Sequence, residues 1–114
     1  MRRKLTKNER LQIYDKCGGH CAYCGCVLDY KDMQVDHVIP LRLGGADKLN
    51  NMLPACRSCN HYKATFGVEG FRKYLMGIVN RLMRDNIPFQ VAIRFGIVKH
   101  MRDDVIFYFE RLPQ

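Results

Sequence analysis

Cys21-Ala-Tyr-Cys24 and Cys56-Arg-Ser-Cys59 are the two ends of the stretch that decides the fold. Each pair places two thiols two residues apart, which is the ligand spacing of structural zinc sites. Four thiolates complete a tetrahedral zinc site and leave no open position, so this zinc would be structural. Any chemistry is then left to the residues that lie between and beside the two pairs.

The two pairs are farther apart than those of a simple zinc ribbon. Thirty-one residues separate Cys24 from Cys56, whereas about 15 to 20 separate the pairs of a ribbon. Cys17 and Cys26 lie outside the pairs. Cys26 is close enough to Cys24 to compete as a ligand, but the matched spacings favour Cys21 and Cys24. A redox Cys-x-x-Cys is the alternative to zinc, and the reducing compartment that we expect for this chain favours zinc.

Length and charge set the class of protein. The chain has 114 residues, which predicts one domain over 1–114, with a core at 17–66 and an extension at 67–114. Its net charge of +8 favours a polyanion such as DNA, because phosphate neutralisation releases counterions; a solvated basic surface explains the charge about equally well. Neither a membrane-length apolar run nor a signal peptide is evident, so we expect a soluble, cytoplasmic protein and no membrane partner.

Patterning predicts an α+β fold. Thr6-Lys-Asn-Glu9 has the form of a capping box, which opens a helix to about Lys16, and Gly18-Gly19 ends that helix. Beyond the first cysteine pair, the sequence predicts a strand, a loop, a second strand and a helix, at residues 33–39, 42–50, 52–55 and 56–65 in that order.

The last third of the chain is predicted to be mainly helical. Seven apolar residues recur at three- and four-residue steps between Glu69 and Arg84, so we predict one helix whose apolar face is core. Residues 89–95 fit either a strand or a short helix. Val105–Phe109 is strand-like and predicts a strand.

Polar residues between and beside the cysteine pairs suit phosphate chemistry. Asp36 offers a carboxylate, which Mg²⁺ prefers, and His37 offers an imidazole, which titrates near neutral pH and can take a proton from water. Successive strand residues point to opposite faces. The strand would therefore have to bend before Pro40, or Asp36 would have to reach a metal from the side.

Taken together, these motifs resemble the HNH endonuclease family. The resemblance spans about residues 17–65 and rests on Cys-Ala-Tyr-Cys-Gly at 21–25, Val-Asp-His-Val-Ile-Pro-Leu at 35–41, Gly-Gly at 44–45, Asn-Met-Leu-Pro-Ala-Cys-Arg-Ser-Cys-Asn at 51–60 and Lys63. It implies a ββα-metal fold, in which a two-stranded hairpin packs on a helix and a catalytic divalent cation lies between them. The N-terminal helix and a C-terminal extension of helix and strand would flank this core and its structural zinc.

The resemblance also implies a role for each residue that matches a family motif. His37 matches the general base and Asp36 a ligand of the catalytic cation. Asn51 matches the catalytic-site residue whose amide ties the loop and orients the histidine. Asn60, directly after the second cysteine pair, matches the other ligand of the cation, and the adjacent His61 is the alternative ligand.

Four further polar residues fit a position at the surface about as well as, or better than, a role in the site. Arg57 and Lys63 flank the site on the predicted helix, and we expect them to contact DNA phosphates, although a solvated face explains them almost as well. His20 and His100 have no metal-ligand or catalytic context in the sequence, and we expect them at the surface.

The implied activity is metal-dependent hydrolysis of DNA phosphodiester bonds, by nicking or double-strand cleavage, in a bacterial or phage-infected cell. A role in phage DNA packaging, with a terminase or another targeting partner, rests on the resemblance alone. Two alternatives stay open: a zinc-stabilised DNA-binding module without catalysis, and a zinc-stabilised protein–protein adaptor that uses Val105–Phe109 as a sheet edge. Cleavage that a chelator blocks would separate the nuclease from the module.

Overall fold

The computed structural model describes residues 3–99, 102 and 104–113. In chain order its helices and strands are α1 (Lys7–Asp15), β1 (Gln34–His37), β2 (Met52–Ala55), α2 (Arg57–Lys63), α3 (Val68–Met76), α4 (Ile78–Asp85), α5 (Ile87–Arg94) and α6 (Tyr108–Arg111). These elements confirm the predicted α+β class. The chain divides into two compact units, Met1–Val68 with Ile106–Gln114, and Glu69–Val105. That both units form a single domain stays a prediction.

The first unit contains the predicted hairpin and helix. β1 and β2 pair antiparallel, with Asp36 opposite Leu53 and His37 opposite Met52. β1 is shorter than predicted because the backbone amide and carbonyl of Ile39 bond the side chain of Asn51 instead of a strand. The arrangement β1, β2 and α2 is the ββα order of the predicted core.

Helix α1 begins and ends where its signals predict. Thr6 and Glu9 form the reciprocal capping box, which satisfies two backbone N–H groups at the helix start. Gly18 and Gly19 have φ of 58° and 83°, a left-handed conformation that ends the helix. Lys16 donates to the carbonyl of Met52 at 2.8 Å, which attaches the end of α1 to β2.

A small apolar core joins α1 to the hairpin. The buried members of this cluster are Ile13, Leu28, Met33 and Met52, each no more than 4% exposed. Such a cluster is small for a domain, and small cores commonly depend on a metal or another cross-link. Because Ile13 belongs to α1 and Met52 to β2, this core lies between α1 and the hairpin.

The predicted strand at Val105–Phe109 is wrong. Residues 104–107 form no strand, the backbone of Phe107 is extended, and α6 begins at Tyr108. The backbone N–H groups of Tyr108 and Phe109 bond the carbonyls of Tyr23 and Ala22, at 3.1 and 2.8 Å. These bonds attach the segment to the first cysteine turn, so it offers no free sheet edge to an adaptor partner.

The histidine predictions have different outcomes. His20 is half-buried, and its ring stacks on the ring of Tyr108 with centroids 5.1 Å apart. The surface prediction for His20 is therefore wrong in part, because that stacking covers one face of the ring. His100 lies outside the described residues.

The second unit corrects the prediction of one long helix. The predicted helix is broken at Gly77 into α3 and α4, since glycine has a low helix propensity. Arg81 donates to the carbonyl of Tyr74 at 2.8 Å, which satisfies an acceptor near the break. Of the seven predicted core residues, Phe71 is buried and the others are half-buried or exposed.

The ambiguous segment at 89–95 is helical. It belongs to α5, where Asn86 is the N-cap and its side chain accepts from the backbone N–H of Phe89 at 2.9 Å. Pro88 lies in the first turn of this helix, a position that needs no N–H donor. No helix among the residues that the structure describes combines the length and apolar character needed to cross a membrane.

Candidate active site and metal centre

The four paired cysteines form one cluster in the first unit. Their sulfur atoms all lie within 4.8 Å of one another, and the residues are Cys21, Cys24, Cys56 and Cys59. The Sγ atoms of Cys24 and Cys56 are 3.9 Å apart. A tetrahedron with zinc–sulfur bonds of about 2.3 Å has an edge of about 3.8 Å. The cluster is therefore positioned to bind a metal ion, and its size fits zinc.

Backbone hydrogen bonds bring the two pairs together. Ala22 donates its N–H to the carbonyl of Pro54 at 2.9 Å, which holds the first cysteine turn on β2. Cys56 is the N-cap of α2, and its Sγ accepts from the backbone N–H of Cys59 at 3.4 Å. The hairpin thus carries one pair at its edge and leads directly into the other.

The chemistry of the donor set also fits a divalent cation. A hydrogen bond with Cys59 lowers the pKa of Cys21 to about 4, and the same bond raises the pKa of Cys59. Burial raises the pKa of Cys24. Neighbouring thiolates repel one another, and a bound divalent cation would favour the ionised form of all four thiols.

Asp36 lies in a buried hydrogen-bond network. The carboxylate is 4% exposed, and its Oδ2 accepts from the hydroxyl of Tyr23 at 2.5 Å. Tyr23 lies between the two cysteines of the first pair and is 3% exposed. Burial, followed by the charge of Asp36, raises the pKa of Tyr23, so this hydroxyl stays a donor. A residue of the cysteine turn therefore holds the carboxylate of Asp36 directly.

Lys63 occupies a different place from the one predicted. It is 0% exposed, and its ammonium lies 2.9 Å from Oδ2 of Asp36 and donates to the carbonyl of His37 at 3.1 Å. A fully buried ammonium does not meet a DNA phosphate at the surface. The prediction of a phosphate contact is therefore corrected: Lys63 neutralises the buried carboxylate, which would otherwise be costly to bury.

The imidazole of His37 has a separate partner. Its Nε2 lies 2.8 Å from Oδ1 of Asp47, and the ring is 6% exposed. The other oxygen of Asp47 accepts from the backbone N–H of Arg3 at 2.7 Å. The hydrogen bond with His37 and then that with Arg3 lower the pKa of Asp47, so it stays ionised. As the strand geometry predicts, Asp36 and His37 have different partners.

Asn51 connects the two ends of the loop after β1. Its Oδ1 accepts from the N–H of Ile39 at 2.9 Å, and its Nδ2 donates to the carbonyls of Ile39 and Ala46, at 2.9 and 2.8 Å. Gly45 packs against the same place, because a Cβ there would lie 1.7 Å from the carbonyl oxygen of Ile39. These contacts fix the loop that carries Asp47.

One cleft of about 380 Å³ brings the predicted catalytic residues together. Asp36, His37 and Asn60 all line it, and so does the exposed Arg42. Asn60 reaches the cleft from α2, whereas Asp36 and His37 end β1. A carboxylate, an amide and an imidazole in one cleft can hold a hard cation and accept a proton.

Two predicted residues stand outside this group. His61, the alternative ligand, is exposed, does not line the cleft and contacts the ring of Tyr62 edge-on at 5.4 Å. Arg57, a predicted phosphate contact, is exposed at the first position of α2. It lines another cavity, together with Cys26 and Cys56.

The comparison with protein families decides which kind of domain this is. Residues 21–76 match the family model described as HNH endonuclease. They belong to the HNH endonuclease family. The matched stretch includes both cysteine pairs and every predicted residue of the cleft.

The HNH domain is similar to part of a much larger protein. The CRISPR-associated endonuclease Cas9 of Actinomyces naeslundii is 32% identical over 56 residues, which are 48% of this chain and 5% of that one. The crystal structure of the type II-C Cas9 enzyme from the same organism superposes with a TM-score of 0.55 and 18% identity, over 90% of this chain and 12% of that one. The structural likeness shows a shared fold, and the chain spans a small part of either Cas9 chain.

The family match and the cysteine cluster establish the fold and the general class of protein. The ββα-metal fold with a four-cysteine cluster that could hold zinc is confirmed. Membership of the HNH family supports a nuclease.

Sequence analysis missed Asp47, Arg42 and the role of Tyr23. A polar residue just after the Gly44-Gly45 pair is a weak signal for Asp47, since such residues also form ordinary turns. Tyr23 carried a stronger signal, because a buried tyrosine hydroxyl usually needs a partner.

Proposed function

We propose that this chain is a metal-dependent endonuclease that hydrolyses phosphodiester bonds of DNA. The observation that carries the proposal is the cleft that Asp36, His37 and Asn60 line together. Membership of the HNH family supports nuclease activity, and the net charge of +8 suits a polyanionic substrate. The four-cysteine cluster would hold a structural zinc, since four thiolates leave no open position for substrate.

Asp36 and Asn60 would hold the catalytic divalent cation. Both offer oxygen donors to the same cleft, and oxygen is what Mg²⁺ prefers. A carboxylate has about four lone-pair sites, so Asp36 retains acceptor capacity beside its bonds to Tyr23 and Lys63. When bound, such a cation would stabilise negative charge on the phosphate and on the leaving oxygen.

His37 would act as the general base. The hydrogen bond between its Nε2 and the ionised Asp47 fixes the ring, and Nδ1 would be the proton acceptor. Nδ1 takes a proton from water, and the water oxygen attacks phosphorus in line with the 3′ oxygen. The bond from phosphorus to that oxygen breaks, the oxygen takes a proton from solvent, and the products carry a 5′-phosphate and a 3′-hydroxyl. Asp47 stabilises the imidazolium that forms.

Arg42 is the cation best placed to contact the phosphate under attack. It is exposed and lines the same cleft as Asp36 and Asn60. A guanidinium can donate two parallel hydrogen bonds to phosphate oxygens. Arg57, exposed on α2 but lining a different cavity, would contact phosphates farther along the DNA.

The test is cleavage of supercoiled plasmid by the purified chain with Mg²⁺, Mn²⁺ or no added cation. We expect nicked or linear product with a divalent cation and none with a chelator that removes it. DNA binding without cleavage under every condition would instead indicate a zinc-stabilised DNA-binding module. A role in phage packaging with a terminase rests on the sequence resemblance alone and stays a prediction.

A further inference from the structure

We infer that a second, basic cavity beside His37 binds a backbone phosphate of the DNA strand, next to the phosphate that is cleaved. This inference rests on the proposed function and adds a binding subsite to it. The cavity lies between the segment before α1, α1 itself and β1. Its volume is about 380 Å³, and three of its lining residues are the cations Arg3, Lys4 and Arg10.

Two of the three cations, Arg3 and Arg10, are held in place by hydrogen bonds to backbone carbonyls. Arg10 donates to the carbonyl of Met33 at 3.2 Å, and its guanidinium lies 5.6 Å from the centre of the Tyr30 ring. Arg3 donates to the carbonyl of Asp47 at 3.3 Å. Two residues of the cavity are therefore oriented by bonds that leave guanidinium N–H groups for a further acceptor, since each has five.

The acidic residue of this cavity does not oppose an anion strongly. Asp47 lines it, but one carboxylate oxygen is bonded to His37 and the other accepts from the backbone N–H of Arg3. The guanidinium of Arg3 also pairs with Glu9 at 2.9 Å. Lys4 and Arg10 remain as the positive charges without an ion pair among the described residues. The balance of the cavity is therefore positive.

The position of the cavity indicates which anion it takes. His37 lines both this cavity and the cleft that contains Asp36 and Asn60. A nucleic acid strand with one phosphate at the cleft places the next phosphates at regular distances along its backbone, so an adjoining basic cavity is suited to one of them. Such a contact positions the strand without reading its sequence.

Lys4 and Lys7 form a matched pair for the test. Both are exposed lysines three residues apart, but Lys4 lines the cavity and Lys7 does not. The Kd of a fluorescent DNA duplex is measured against salt concentration with the zinc-loaded full chain and no added Mg²⁺ or Mn²⁺, so that no cleavage occurs. For Lys4→Gln we expect weaker binding and a log Kd against log salt slope that is smaller by about 1. Lys7→Gln should match wild type, and Lys4→Arg should restore the slope.

Equal effects of Lys4→Gln and Lys7→Gln, or no effect of either, would overturn the inference, because the positive charge would then act diffusely or not at all. Failure of the nuclease proposal is a separate result. It would show as wild-type chain that binds DNA with the Lys4-dependent slope yet cleaves nothing with any divalent cation. In that case the phosphate subsite stands and the hydrolysis does not.

Discussion

At the scale of single residues, the site depends on how the neighbours Asp36 and His37 are held. The sequence motifs predict both residues as members of the site. They do not show that Tyr23 and Lys63 bind the carboxylate of Asp36, or that Asp47 binds the ring of His37. These partners are distant in the chain, and hydrogen bonds between distant residues leave no local pattern. Positioning by such partners commonly contributes about 10- to 100-fold to activity or metal affinity.

Asp47→Ala should lower kcat by about 10- to 100-fold, because His37 loses the carboxylate that fixes its ring. DNA binding without an added divalent cation should not weaken, since the substitution removes a negative charge from the basic cavity. Asp32→Ala, at an exposed carboxylate outside the cavity, is the control. Single-turnover cleavage and duplex binding check both parts; an unchanged kcat would remove Asp47 from the mechanism.

Tyr23→Phe should raise the divalent cation concentration needed for half-maximal cleavage by about 10-fold or more, because Asp36 loses a hydrogen bond. Zinc content should stay at the wild-type value, since the flanking cysteines are intact. Tyr62→Phe, at a tyrosine that is 54% exposed, serves as the control. If the cation requirement of both variants equals that of wild type, Tyr23 does not position Asp36.

At the scale of elements, local signals predicted most of the first unit and failed in the second. The capping box at Thr6 and the turn glycines act within a few residues, so the sequence shows them directly. The apolar repeat favours one continuous helix, but Gly77 is a poor helix former and breaks it. Arg81, in the next turn, donates to the carbonyl of Tyr74 near the break. The segment at 105–109 has strand-like residues, but its backbone bonds the cysteine turn instead.

Gly45→Ala should lower the free energy of unfolding by about 1 to 3 kcal/mol or more. The added Cβ would overlap the carbonyl oxygen of Ile39 and crowd Nδ2 of Asn51, so the loop that carries Asp47 must move. Gly67→Ala is the matched control, because nothing lies within 4 Å of its Cβ position. Urea unfolding of the two variants measures the difference; equal stabilities would contradict the close packing at Gly45.

At the scale of the whole molecule, the cysteine cluster and the cleft are two sites linked by Tyr23. The sequence predicted the cluster well, because ligand spacing is a local property that metal geometry restricts. It predicted the cleft residues through family motifs, and the structure brings Asp36, His37 and Asn60 to one cleft. The burial of Lys63 could not be predicted, since a lysine near a site usually suggests a surface cation.

Cys56→Ser should lose the bound zinc and lower the midpoint of thermal unfolding, because it removes one of the four clustered thiols. Cys26→Ser should keep one zinc per chain, since Cys26 is an exposed cysteine outside the group of four. Zinc stoichiometry by mass spectrometry, together with thermal unfolding, checks both variants. Zinc loss in Cys26→Ser with zinc retained in Cys56→Ser would reverse the ligand assignment.

The most direct measurement of the central claim is single-turnover DNA cleavage by His37→Ala beside His61→Ala, each with its zinc content confirmed. His61 is an exposed histidine outside the cleft, so its variant controls for loss of an imidazole. We predict that His37→Ala cleaves about 10²- to 10⁴-fold more slowly than wild type, the usual contribution of a general base, while His61→Ala cleaves at the wild-type rate. Equal rates for His37→Ala and wild type would contradict the account.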